Sequence, residues 1–254
     1  MIDQFKGMKP SRRAFLRGAA AAGVAVAGTK AAAEGEAQIL NKQPWNQALG
    51  AGVDESPYGM PSKFEAGVVR KNVPWLTAES ISSINFTPIH ELDGIITPNG
   101  LCFERHHGGA AEIDPAEHRI MINGLVDREL VFTMEDLMRF PRENHVYFLE
   151  CAANSGMEWR GAQLNGCQFT HGMIHNVMYT GVPLRLLLEE AGVKTEGKWL
   201  LAEGADASGM TRSIPMEKAL DDCLVAFKMN GEALRTEQGY PVRLVVPGWE
   251  GNMW

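Results

Sequence analysis

Val146-Tyr-Phe-Leu-Glu-Cys151, continuing into Ala-Ala-Asn154-Ser-Gly156, is an apolar run that ends on a cysteine and a set of small residues. Five or six residues of this kind, rich in β-branched and aromatic side chains, predict a buried strand. A strand end fixes the Cα of Cys151, and the small residues after it leave room for something bulky. That is how a metal-binding or nucleophilic thiol is presented. The same pattern also suits a buried cysteine packing as a small hydrophobe, and these residues alone leave both readings open.

Strands and short helices follow one another around this stretch. His118 to Val126 alternates apolar and polar, as a half-buried strand does. Thr133 stands at the N-cap of a short helix with acids in its first turn and Pro141 beyond it. Pro183 to Ala191 carries Leu184, Leu186, Leu187 and Leu188 around a helix, and Gly192 supplies its C-cap. Trp199–Ala202, Cys223–Met229 and Val242–Val246 read as strands, with Asn230-Gly231 as a turn after the second. There is no regular βαβ alternation, so the expected class is α+β, mixed, rather than doubly wound.

The 254 residues are 45% hydrophobic, enough for a sizeable core. Lys and Arg number 24 against 31 Asp and Glu, a net of −7, and no long basic run could track a phosphate backbone. Nucleic acid is therefore not an expected partner. Four cysteines, Cys102, Cys151, Cys167 and Cys223, form no Cys-x-x-Cys, which disfavours structural zinc, and no Cys-x-x-Cys-His for c-type haem.

Residues 1–33 have the order of a twin-arginine export signal: Ser11-Arg-Arg-Ala-Phe-Leu-Arg17, a weakly hydrophobic Ala/Gly run, then Ala31-Ala-Ala33 for cleavage. This stretch holds six basic side chains and one acidic, so removing it leaves 18 positive and 30 negative charges, a net of −12. The expected location is periplasmic, with no membrane span after cleavage. Twin-arginine export carries folded proteins, which points to a cofactor inserted beforehand. Residues 34–84, Gly- and Pro-rich at first and without clear period, are expected to form an N-terminal arm, and 85–254 a packed domain.

Other segments could carry chemistry. Phe103-Glu-Arg105-His106-His107-Gly-Gly109 sets cations and imidazoles beside a Gly pair, suiting an anion or a phosphorylated cofactor, or a solvated basic loop. Ala202 to Gly209 is a small-residue strand exit bearing Asp206. Gly239-Tyr-Pro-Val-Arg243 starts a strand with an arginine, the usual setting of a surface ion pair.

Taken together, these segments resemble the molybdenum-containing sulfite oxidase family. The match runs through Phe103-Glu-Arg-His-His107, Cys151-Ala-Ala-Asn154, Asp206 before Ser213-Ile-Pro215, Met229-Asn-Gly-Glu232 and Gly239-Tyr-Pro-Val-Arg-Leu-Val-Val-Pro-Gly248, in order over residues 85–254. Within the family, Glu150 to Gly161 and Pro247 to Trp254 look most like the catalytic subunits of bacterial sulfane dehydrogenases.

The resemblance implies a molybdenum–molybdopterin cofactor, with Cys151 as the metal ligand and Arg105 holding anionic oxygens near it. It implies cofactor contacts from Phe103, Arg105, His106, His107, Asn154, Asp206, Gln238 and Arg243. It further implies a sulfur-oxidising enzyme that takes sulfane sulfur from a carrier protein and passes electrons to a c-type cytochrome. Alternatives on the same scaffold are a sulfite dehydrogenase, a methionine sulfoxide reductase, or a binding subunit without cofactor.

There are departures from the pattern. Ser155 and Gly156 stand where sulfite oxidases carry arginines, and Gln238 stands where they carry a histidine. The C-terminal β-sandwich dimerisation domain of the family is expected to be missing, so the sequence reads as truncated after Trp254.

Overall fold

Three short strands, β1 (Lys71–Asn72), β2 (Ile84–Phe86) and β3 (Glu104–Arg105), pair antiparallel in the order β1-β2-β3. The computed structural model describes residues 43–52, 60–73, 77 and 79–254; the expected export signal lies outside them. It divides at Met60/Pro61 into two compact units. The described residues of the first are exposed, with one 3₁₀ turn at Pro44–Asn46. Everything below concerns the second, Pro61–Trp254.

A hairpin of β4 (Ile120–Ile122) and β5 (Leu130–Phe132) leads into helix α1 (Met134–Arg139). The expected strand over 118–126 is thus shortened to three residues. Gly124, at φ +98°, turns the chain, and Val126 makes only an isolated bridge to Val193. The Thr133 N-cap forms as read: its side chain accepts from the Asp136 N–H at 3.1 Å, and Asp136 Oδ2 accepts from the Thr133 N–H at 2.9 Å.

The main sheet holds β6 (Glu143–Glu150), β7 (Ile174–Pro183), β10 (Leu224–Met229), β11 (Glu232–Ala233) and β12 (Arg243–Val245). Its order is β11-β10-β7-β6, with β12 also antiparallel to β10. Helix α2 (Cys167–His171) precedes β7. Helix α3 (Leu184–Ala191) follows it, burying Leu184, Leu187, Leu188 and Ala191, and ends on Gly192 at φ +70°. Strands β8 (Trp199–Glu203) and β9 (Thr211–Pro215) form a separate hairpin, and β9 runs into α4 (Met216–Asp221) through Pro215 at the N-cap. The turn at Asn230-Gly231, with both φ positive, closes β10 onto β11 as expected.

The strand that ends at Cys151 is not buried. β6 lies at the sheet edge, only Leu149 in it is buried, and Val146 and Phe148 are 46% and 54% exposed. The apolar run arises because β6 carries hydrophobic residues on both faces, while only β7 lies beside it.

β7, in contrast, is buried along most of its length. Gly181 allows it to meet β10: a Cβ there would stand 2.5 Å from the Val225 carbonyl oxygen. Three apolar clusters make up the core, one under α3, one between Tyr179 and Val245, and one around Phe86 and Leu149. Trp254 packs against all three and donates its indole N–H to the Trp249 carbonyl at 3.0 Å. Among the described residues no helix is long and apolar enough to cross a membrane, and no β-sandwich accompanies these sheets.

Candidate active site

Cys151 follows the last residue of β6 and is half-buried, with a free thiol. Its N–H donates to the Met173 carbonyl at 3.0 Å, and its carbonyl accepts from the Asn154 N–H at 2.9 Å. Asn154 then closes the turn: its Nδ2 donates to Glu150 Oε1 at 3.0 Å and its Oδ1 accepts from the Met173 N–H at 3.1 Å. Ser155 sits in the left-handed region at φ 59°, a conformation costing about 1 kcal/mol, and is held there by its N–H on the Thr170 carbonyl at 2.8 Å. The sulfur is thus carried on a turn fixed at both ends. Met157, Phe169 and Trp254 pack in the same cluster as Cys151.

The 3₁₀ turn Gly251–Met253 lies against this thiol turn. A Cβ on Gly251 would be 3.2 Å from the Glu150 carbonyl and 3.5 Å from the Cys151 Cα. Next to it, Asn252 Oδ1 accepts from Arg212 Nε at 3.5 Å. Along β9 Thr211 and Ser213 are exposed, while Arg212 is half-buried and Ile214 buried, so Arg212 belongs to the inward set.

A second wall comes from β3 and its exit. Arg105 Nη1 donates to the Ser82 carbonyl and hydroxyl, both at 3.4 Å, and to the His106 carbonyl. His106 Nε2 sits 2.6 Å from Glu104 Oε2, and Glu104 also meets Arg70 at 2.5 Å and Asn85. Burial pushes the Glu104 carboxyl up, but hydrogen bonds from His106 and Asn85, with the Arg70 guanidinium, outweigh it and hold it below its ordinary value. His106 is therefore committed to Glu104.

His107 is exposed and stands in a field of charges. Burial, Arg105 and Arg212 lower its pKa, and Asp206 opposes them. Gly108 then packs on the loop that carries Asp206. A Cβ at 108 would meet Ser208 Oγ at 2.5 Å and Ser208 N at 3.2 Å. The Ser208 hydroxyl is buried there without a hydrogen-bond partner.

A third group links β3 to β12. Phe103 is buried, its ring 4.9 Å from His175 and its N–H on Thr87 Oγ1 at 2.9 Å. Buried Gln238 donates from Nε2 to the Phe103 carbonyl at 3.0 Å. Arg243 Nη1 donates to the Gln238 carbonyl at 3.3 Å and to its Oε1 at 3.4 Å. Phe103 and Gln238 thus tie the backbone and aim Arg243.

The eleven described arginines fall into three groups, of which Arg119, Arg142 and Arg160 are exposed and have no carboxylate partner. Arg70, Arg128, Arg139, Arg185 and Arg235 each pair with a carboxylate. Among the described residues Arg105, Arg212 and Arg243 have none within 4.0 Å, although all three are half-buried and the chain is acidic. Half-buried guanidinium groups without counter-charge favour an anion. A fixed soft thiol, these cations, the orphaned Ser208 hydroxyl and the close approach at Gly108 suit a phosphorylated group carrying a sulfur-seeking metal.

Cys151, Arg105, His107, Asp206 and Arg243 are candidates already in the sequence motifs, whereas Arg212, Ser208, Gly251 and Asn252 come into view only in the structure. Arg212 had one usable signal, a lone cation on the inward parity of a strand entering Ser213-Ile-Pro215. Ser208 had none, because its role depends on which loop lies across it.

Fold and site together define a molybdopterin-binding domain, and the chain belongs to the family described as the oxidoreductase molybdopterin binding domain, whose model matches residues 107–254. It is of the sulfite oxidase type, and molybdenum–molybdopterin is the cofactor of that type. Among solved structures it is similar to the sulfane dehydrogenase SoxCD of Paracoccus pantotrophus: 64% identity, TM-score 0.82, covering 85% of this chain and 56% of that one. Human mitochondrial sulfite oxidase is 32% identical over 192 residues, 70% of this chain and 35% of the relative. The NADH nitrate reductase of Volvox carteri is 38% identical over 174 residues, 63% of this chain and 20% of that protein. The chain therefore spans only part of each of these relatives.

Proposed function

We propose that this chain is the molybdenum-binding catalytic part of a periplasmic sulfane dehydrogenase. It oxidises sulfur held on a carrier protein and passes electrons to a c-type cytochrome. The observation that carries the reading is the uncharged turn after the thiol, Cys151-Ala-Ala-Asn-Ser155-Gly156, in a chain 64% identical to a solved sulfane dehydrogenase. The Arg12-Arg13 signal supports export as a folded protein.

When bound, the molybdenum cofactor supplies two-electron oxygen transfer to sulfur. The residues of the chain divide the remaining work. Cys151 offers its thiolate to the metal from a turn that Asn154 holds rigid. His107, Asp206 and Arg243 hold the pterin and its phosphate, and Gly108 lets the backbone come close. Arg105 meets anionic oxygens near the metal. Small Ser155 and Gly156 leave room for an arm bearing sulfur, whose carrier supplies binding energy away from the reacting atoms.

The test is steady-state kinetics of the holoenzyme with a c-type cytochrome as acceptor, comparing a persulfide-loaded carrier with free sulfite. A higher kcat/KM for the carrier is expected. A clear preference for sulfite would leave a sulfite dehydrogenase instead. Cys151→Ser should fold, yet lose at least a thousandfold in turnover; normal turnover by that variant would remove Cys151 as the ligand.

A further inference from the structure

Arg212 is one of the three unpaired cations of the site but is given no role of its own in the proposed function, and its surroundings are unusual for a half-buried guanidinium. Nη1 donates to the Thr211 carbonyl at 2.7 Å and Nε to Asn252 Oδ1 at 3.5 Å, both neutral acceptors. Nη2 has no hydrogen-bond partner among the described residues. The residue is on the inward parity of β9, and Asn252 adjoins Gly251, which lies against the Cys151 Cα. Two contacts therefore orient the planar group without neutralising it. The thiol turn itself, through Ser155 and Gly156, brings no cation.

We propose that Arg212 binds the oxidised end of the substrate, a sulfur oxyanion of the R–SO₃⁻ or sulfite type, and is the residue that sets substrate charge at this site. The inference rests on the sulfur-oxidising reading above and extends it. A sulfane sulfur gains anionic oxygens as it is oxidised. A guanidinium fixed by neutral partners can hold that growing charge through a charge-assisted hydrogen bond, without first breaking an ion pair. Arg105 is less suited, because its Nη1 is already shared among three acceptors at Ser82 and His106.

The experiment titrates methanesulfonate and sulfate into the cofactor-loaded full chain by calorimetry at constant ionic strength. It compares wild type, Arg212→Met, Arg212→Lys, and Arg142→Gln as a control that removes one charge elsewhere. Molybdenum and pterin contents are measured on every sample. Arg212→Met should raise Kd for both anions roughly ten- to a hundredfold at unchanged cofactor content. Arg212→Lys should fall between it and wild type, and Arg142→Gln should match wild type.

A Kd within twofold of wild type in Arg212→Met overturns the proposal, as does loss of the cofactor from that variant, which would make Arg212 a cofactor ligand. If Arg212→Met fails to fold, Arg212→Lys decides: an unchanged Kd overturns the proposal and a severalfold rise supports it. Wild type that binds methanesulfonate through Arg212 but turns over no sulfur substrate would refute the sulfane dehydrogenase reading and leave the anion site standing.

Discussion

Substituting Gly108→Ala tests whether the loop after β3 and the loop at Ser208 are pressed together as one wall of the site. The new methyl would lie 2.5 Å from Ser208 Oγ and 3.2 Å from Ser208 N. The hydroxyl oxygen is the harder clash and is itself buried, so neither it nor the backbone nitrogen can give way unless the loop moves. Overpacking of this kind costs about 1–3 kcal/mol, and replacing Gly by Ala returns about 0.4–1 kcal/mol through the unfolded chain. A net loss of about 0.5–2 kcal/mol follows, read as a lower urea midpoint at unchanged slope.

Ser208→Ala alone removes a buried hydroxyl that has no partner, so without cofactor it should be neutral or slightly stabilising. In the double variant the 2.5 Å contact is gone. The two changes should therefore couple by about 1 kcal/mol or more, the pair being more stable than their sum predicts. Urea denaturation of the four proteins without cofactor measures this directly. Additivity within about 0.3 kcal/mol would refute the close approach, and with it the claim that Gly108 stands there to bring two loops together.

Two further perturbations report on the scaffold. Gly181→Ala places a Cβ 2.5 Å from the Val225 carbonyl and 2.6 Å from the Ala226 Cα, so β7 and β10 must part; about 3 kcal/mol or more should be lost in the same denaturation assay. His175 is 2% exposed, and burial, aided by Arg243, holds its pKa down to about 3. Its folded value lies below the unfolded one, so stability is full above pH 6.5 and is lost as pH falls towards 3, at up to about 1.4 kcal/mol per pH unit. His175→Phe should flatten the stability profile between those limits, and an unchanged slope would assign the acid sensitivity elsewhere.

The sequence was most informative where local chemistry decides the outcome. The Thr133 N-cap, the Gly192 C-cap and the Asn230-Gly231 turn each satisfy backbone groups within a few residues, and all three form where the sequence places them. The placement of β6 was not legible. An apolar run looks the same whether one neighbour or two cover it, and only the strand order puts β6 at the edge. At the site, Cys151 and Arg243 stand in recognisable motifs. Ser208, Gly251 and Arg212 matter through residues 40 to 100 positions away, such as the approach of Gly108 to Ser208, and no local pattern encodes those meetings. The histidine pair at 106 and 107 was legible as chemistry, but not that His106 pairs with Glu104 while His107 is exposed.

Trp254 joins the three apolar clusters, and this has a bearing on how the chain is made. A ribosome delivers β6, β7 and α3 long before residue 254 leaves the exit tunnel. Until then the clusters must wait with a shared vacancy, each short of the same indole. Closure of the core therefore waits for residue 254, and until it emerges the nascent chain carries exposed apolar surface, the condition in which chaperones bind.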